Sequence, residues 1–243
     1  LAISGTGEMA DYDDPTSTAD NANKAPWADQ RDSVTRVVVE NGVTRIGKYC
    51  FARLANAASF DMSNNTTLTE IAERGCYEFM FSNALTLGDS IETVGKEAFS
   101  KCCNFTTLTL GKNATYGERC FSECQYKAIP NTTNKYYQGV KTVNIPRGVK
   151  AISDYMFYKC NMLTTLYIGD TVESIGKFAF SDAHFEYVIL PESVKTIGEG
   201  AFVKTAYLKA FSVANDNIAI DGPIFSTETG KNPKTSSEYN KTP

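Results

Sequence analysis

The sequence predicts an α/β solenoid, a right-handed coil of about eight rungs of 22–23 residues. Each rung is expected to hold one short parallel strand and one helical or 3₁₀ turn. Three observations predict it. The phrase Ser174-Ile175-Gly176-Lys177-Phe178-Ala179-Phe180 returns twenty-two residues later as Thr196-Ile197-Gly198-Glu199-Gly200-Ala201-Phe202. Aligning the chain on that phrase reveals pairs of apolar residues two apart: Val37/Val39, Phe60/Met62, Leu85/Leu87, Leu108/Leu110, Val143/Ile145, Leu166/Ile168, Val188/Leu190 and Phe211/Val213. Seven of the fourteen Phe then share one column (Phe51, Phe99, Phe121, Phe157, Phe180, Phe202 and Phe225), with Cys76 in the remaining place. Such self-similarity marks a repeat architecture.

Each apolar pair flanks a polar or small residue, the period-two pattern of a strand with one buried face. Eight such strands stacked at about 4.8 Å make a parallel sheet roughly 35–40 Å long. A second column precedes the Phe column: Gly47, Ala72, Gly95, Gly117, Ser153, Gly176, Gly198 and Asp221. Ala and Ser would be poor choices if this position required left-handed backbone. The column instead reads as the N-cap of a short helical turn that swings the Phe inward. Pro223 suits the first turn of such a helix.

Departures from the spacing belong at turns, because each rung touches only its neighbours. Six rungs keep fourteen residues from the first apolar position to the Phe column, the second needs sixteen and the fourth thirteen. Asn64-Asn65-Thr66-Thr67 widens the second. About thirteen extra residues, 127–139, separate Phe121 from Val143 and are expected to project beside the strand face. Residues 1–33 do not repeat and read as an N-terminal cap. In it Leu1 and Ile3 supply an extra strand, and Trp27 covers the open end of the first rung. Residues 34–225 form the solenoid, and 226–243, without a core pattern, read as a flexible tail or linker. The chain starts at Leu1 rather than Met, as a trimmed or processed fragment would.

Composition removes several function classes. The net charge of −4 argues against nucleic acid, which favours a basic face. No apolar run approaches the roughly 18 residues of a membrane helix. Cys102, Cys124 and Cys160 each follow the Phe column by three residues, Cys50 and Cys120 precede it, and Cys76 lies within it. They read as buried small hydrophobes. A disulfide between Cys102 and Cys124, on neighbouring rungs, is the lesser alternative. No CxxC pair supports zinc. His184, the one histidine, sits at a turn and reads as a surface residue, so a His-activated nucleophile has little support. The acidic residues, including Asp11, Asp13 and Asp14, do not converge on one column as a glycosidase requires. The Asn-x-Ser/Thr sites at Asn64, Asn65, Asn104, Asn113, Asn131 and Asn240 read as turn chemistry. No catalytic residue, metal or cofactor is expected.

The stretches LTLGDSIETVGKEAFSKC (85–102), VNIPRGVKAISDYMFYKC (143–160) and VILPESVKTIGEGAF (188–202) resemble the BspA-like leucine-rich repeats of bacterial and some protist surfaces. They share an apolar pair, V-x-x-I-G-x-x-A-F and often a following Cys. Cys76 for Phe, Ala72 for Gly and the short fourth rung depart from that pattern. The resemblance implies a secreted or cell-surface adhesion module whose partners are host, extracellular-matrix or neighbouring-cell proteins or glycans. The alternatives are a parallel β-helix carbohydrate-active enzyme, and a spacer presenting another domain.

With the core columns structural, binding is expected on the exposed strand face. Rungs three to five present mainly Thr there. Rungs six and seven place Tyr167, Tyr187 and Ile189 side by side, with Thr165 and Asn144 beside them as hydrogen-bonding residues. Tyr136 and Tyr137 of the insert are positioned to reach over the same edge. A polar strip ending in an aromatic patch suits a protein or glycan surface better than a deep small-molecule pocket.

Overall fold

The structure, a computed structural model, describes residues 1–82, 84–125, 127, 128 and 136–225. The apolar pairs generate its first strand ladder. Strands Arg36–Val39, Ser59–Asp61, Leu85–Thr86, Thr107–Thr109, Thr142–Ile145, Thr165–Ile168, Tyr187–Leu190 and Ala210–Val213 recur once per coil, about seven turns from first to last. All pairing in this ladder is parallel, and it sets apolar residue against apolar residue: Val37 opposite Phe60, Leu85 opposite Leu108, Val143 opposite Leu166. Behind the strands the Phe column forms a stack. Ring centroids of Phe99, Phe121, Phe157, Phe180 and Phe202 follow one another at 5.3, 5.8, 5.4 and 5.4 Å, with interplanar angles from 6° to 18°. Cys76 is fully buried in its place, and Phe225 is half-buried at the last coil.

Each coil carries two strands rather than one. A second parallel ladder runs through Val43–Ile46, Glu70–Ile71, Thr93–Val94 and Thr115–Tyr116, then through Ala151–Ile152, Ser174–Ile175, Thr196–Ile197 and Ala219–Ile220. It is built on the V-x-x-I part of the repeat, with Ile71 opposite Val94 and Ile175 opposite Ile197. Only one residue of each two-residue strand is buried in most coils, too short a stretch to show a period.

The turn that carries the Phe is not helical, contrary to expectation. Among the described residues the one helical element is a 3₁₀ turn at Ala28–Ser33, outside the repeats. In the Phe turns the N–H groups alternate between two kinds of acceptor. Cys120 and Ser122 donate within their own coil, to the carbonyls of Gly117 and Arg119 at 3.3 and 3.0 Å. Phe121 and Glu123 donate to the next coil, to Met156 and Tyr158 at 3.1 and 2.7 Å. The alternation places two residues of each of the first seven turns, two before and two after the Phe column, in the left-handed region. Arg119 and Glu123 have φ of 59° and 57°, and Phe178 and Asp182 have 52° and 64°. The later of these positions reads Arg53, Glu78, Lys101, Glu123, Lys159, Asp182 and Lys204, alternating in charge from coil to coil. Arg53 pairs with Glu78, and Lys101 Nζ lies 3.8 Å from Glu78 on the other side.

The glycine column is likewise not a set of helix caps. Its glycines avoid positive φ, as their exchange with Ala72 and Ser153 requires. What they provide is close approach. A Cβ on Gly117 would lie 2.6 Å from the Lys96 nitrogen, and one on Gly198 would lie 2.7 Å from the Lys177 nitrogen. Nor does Pro223 start a helix; its carbonyl accepts the Gly200 N–H at 2.8 Å.

Residues 1–33 repeat more than their sequence suggests. Ala2–Ile3 extends the first ladder by pairing with Val38 and Val39, and Gly7–Glu8 extends the second. Trp27 covers the end of the core, stacked 6.0 Å from Phe51 at 22°, while its Nε1–H donates to the Cys50 carbonyl at 2.7 Å. In the wide second coil the buried Asn65 binds the turn together. Its Nδ2 donates to the carbonyls of Glu40 and Val43, and its Oδ1 accepts the N–H groups of Thr67 and Leu68. The insert contains an antiparallel pair, Lys127–Ala128 with Tyr136–Tyr137; residues 129–135 between them lie outside the described set.

All seven cysteines are buried, and no disulfide joins Cys102 to Cys124. The thiols of Cys102, Cys124 and Cys160 donate to the carbonyls of Cys76, Phe99 and Phe121 at 2.9, 3.2 and 3.2 Å. Each thus reaches the Phe-column residue of the preceding coil. Burial pushes the thiol pKa of Cys102 and Cys124 well above the usual range, which suppresses the reactive thiolate. All three should react slowly with a thiol reagent in the native protein and fully after denaturation. A Cys102–Cys124 bond found by mass spectrometry in protein never exposed to oxidant would overturn the free-thiol assignment.

Candidate functional site

The strand face is not uniform. Four of the large apolar side chains most exposed on the described surface lie in coils six to eight: Tyr167 (61%), Tyr187 (61%), Ile189 (75%) and Tyr207 (58%). Tyr167, Tyr187 and Ile189 point outward because they occupy the polar phase of their strands, between the buried Val188 and Leu190 in the case of Ile189. Thr165 and Asn144 are half-buried beside them, Asn144 directly opposite Tyr167. Asn144 Nδ2 donates to Thr109 Oγ1 at 3.2 Å, tying two neighbouring strands together. The backbones of Tyr136 and Tyr137 form the second strand of the insert, but their side chains lie outside the described set, as do any contacts they make with this face.

Between coils six and seven the first ladder is interrupted. Thr165–Ile168 pairs with Thr142–Ile145, and Tyr187–Leu190 pairs with Ala210–Val213, but the two pairs of strands do not join each other. A similar interruption separates Ser59–Asp61 from Leu85–Thr86. Elsewhere coils six and seven remain in register: Ser174–Ile175 pairs with Thr196–Ile197, and Phe180 donates its N–H to the Ala201 carbonyl at 2.8 Å. The coils therefore fan apart only at the strand face. Two sequence features coincide with the opening. Eight residues separate Phe180 from Val188, where nine separate Phe157 from Leu166 and Phe202 from Phe211. Pro191 also lacks the N–H that its counterpart Gly169 donates to the Ile145 carbonyl at 2.8 Å.

At the start of the two strands that face each other here, Thr165–Ile168 and Tyr187–Leu190, lies an open cleft of about 550 Å³, bordered by Thr164, Thr165, Leu166, His184, Glu186, Tyr187 and Tyr207. Leu166 and Ile168, core positions of the repeat, are half-buried here instead of buried. His184 is not isolated; its ring packs 4.7 Å from Tyr207 at 57°. Glu186 pairs with Lys209 at 2.9 Å. Tyr207 escapes notice in the sequence because it falls in no repeating column, and His184 reads there only as a surface residue. The short return from Phe180 to Val188 is the signal that points to this region. Among the described residues no group of His, Cys, Asp and Glu could hold a metal, and no helix is long and apolar enough to cross a membrane.

Comparison with known proteins agrees with this architecture. The family model described as BspA type leucine rich repeat region (6 copies) matches residues 29–138 and 127–232. Among curated proteins none matches the chain. A leucine-rich repeat protein from Bacteroides ovatus is 21% identical, with a TM-score of 0.50, and the alignment covers 89% of this chain and 60% of that one. A leucine rich cell surface protein from Faecalibacterium prausnitzii is 18% identical, with a TM-score of 0.53, covering 89% and 50%. This chain thus spans between half and three fifths of those proteins, and the likeness is one of fold.

Proposed function

The chain belongs to the BspA-type leucine-rich-repeat family, and on that premise we propose that it is a non-catalytic binding module of a secreted or cell-surface protein. Its ligand is a protein or glycan of a host, its matrix or a neighbouring cell, held on the strand face of coils six to eight. The observation that carries this reading is the exposure of Tyr167, Tyr187, Ile189 and Tyr207 in neighbouring coils, with Tyr187 and Tyr207 lining a cleft. Grouped aromatic side chains are unfavourable to leave in water and are enriched among binding hot spots. Thr165 and Asn144 supply hydrogen bonds at the rim. The cell-surface description of the F. prausnitzii relative supports the location.

The test begins with a glycan array and a pull-down from extracellular matrix, and continues with the captured ligand. Replacing Tyr167 and Tyr187 together by Ala should weaken binding by roughly 2–4 kcal/mol. Stability should change by less than about 1 kcal/mol, because both side chains are exposed. Unchanged affinity in a folded double variant would remove the site from this face.

A further inference from the structure

We propose that the opening in the ladder accepts an extended, uncharged polypeptide segment, which pairs through its main chain with the edges of Thr165–Ile168 and Tyr187–Leu190. The inference rests on the binding reading above and names its ligand class. In a parallel strand the N–H and C=O of one residue point to the same side, and successive residues alternate sides. Thr165 and Gly169 donate to the carbonyls of Lys141 and Ile145 in coil five, at 3.0 and 2.8 Å. The main-chain groups of Leu166 and Ile168 therefore face coil seven. Across the opening, Ala210 and Ala214 of coil eight donate to Glu186 and Leu190, each at 3.3 Å. The groups of Tyr187 and Ile189 therefore face coil six. Two open edges thus confront one another, and no ladder pairing meets either.

An open strand edge is a template for another chain. Here the edges are four residues long and sit among exposed Tyr167, Tyr187 and Ile189, which would pack on alternate side chains of the incoming segment. Glu186, the carboxylate on the cleft wall, is already matched by Lys209, so no unpaired charge there asks for an ionic partner. A row of donors and acceptors at strand spacing fits a peptide backbone, whereas sugar hydroxyls have no such period.

The probe is a phage-displayed library of linear 12-residue peptides, selected on the intact chain alongside the glycan array. Selected peptides should lose binding at least tenfold when alternate amides within one stretch of about four residues are N-methylated, and little when the intervening amides are. Ile189→Pro removes a donor that faces the opening while sparing the bonds to coil eight, so it should also cost at least tenfold. Ile189→Ala should cost less. If Ile189→Pro lowers the melting temperature, the N-methyl scan decides alone. Glycan binding lost in the Tyr167→Ala, Tyr187→Ala variant, with no peptide selected, would overturn the peptide inference and leave the binding reading intact. Peptides indifferent to N-methylation would overturn it as well. Ligands of either class that bind the double variant normally would overturn both.

Discussion

Phe180→Ala is expected to lower the unfolding free energy by about 3–5 kcal/mol, the range for emptying a fully buried aromatic site. Phe180 has no exposed surface and is held on three sides: 5.4 Å from Phe157, 5.4 Å from Phe202 and 5.7 Å from Phe185. The stack leaves little freedom to collapse, because Phe157 and Phe202 are themselves fixed by the inter-coil hydrogen bonds of their turns. Lys177→Ala, three residues earlier on the exposed surface, should cost under about 0.5 kcal/mol, since its link to Asp221 is a solvent-exposed pair at 3.5 Å. Denaturant titration of the two variants checks both values. Equal and small effects would contradict the central role of the Phe column.

Gly117→Val should cost about 3 kcal/mol, at the upper end for overpacking a rigid site. The added Cβ would meet backbone, the Lys96 nitrogen at 2.6 Å and the Gly95 carbonyl carbon at 2.7 Å, and backbone cannot rotate away as a side chain can. The strain would reach both strands of the second ladder that flank it, Thr93–Val94 and Thr115–Tyr116, and hydrogen exchange there should accelerate. Gly88→Ala is the control. Its nearest new neighbour would be Ser90 Oγ at 3.6 Å and its φ is not positive, so the change should stay within about 0.5 kcal/mol.

The parts of the fold legible in sequence are those that demand one residue type. A buried ring must be replaced by something apolar, so Phe51, Phe99 and Phe121 form a visible column with Phe157, Phe180 and Phe202. A close approach must be Gly or nearly so, which makes Gly47, Gly95 and Gly117 visible even though their purpose is not. The left-handed positions are invisible because the conformation is imposed by hydrogen bonds from both sides, and Tyr155, Arg119 and Glu97 accept it despite their Cβ. The second ladder hides because its strands, such as Ser174–Ile175, are too short to alternate. At the candidate site the outward phase of Tyr167, Tyr187 and Ile189 follows from strand alternation alone. The interruption between them does not, because TLYI and YVIL both read as good strands. It coincides with the shorter return from Phe180 to Val188, whereas a proline after the strand does not by itself open the ladder, since Pro146 holds the same place in coil five and its pairing with coil four is intact.

The alternating charges of the turn surface also give the solenoid a parity. Arg53, Glu78, Lys101, Glu123, Lys159, Asp182 and Lys204 alternate in sign from coil to coil, and Glu78 pairs with both Arg53 and Lys101. Loss of the single coil that carries Glu123 would set Lys101 against Lys159, two like charges in neighbouring turns. Loss of two adjacent coils, those of Glu123 and Lys159, would set Lys101 against Asp182 and restore the order. The charge order of the turn surface therefore repeats every two coils, although the sequence motif repeats every one.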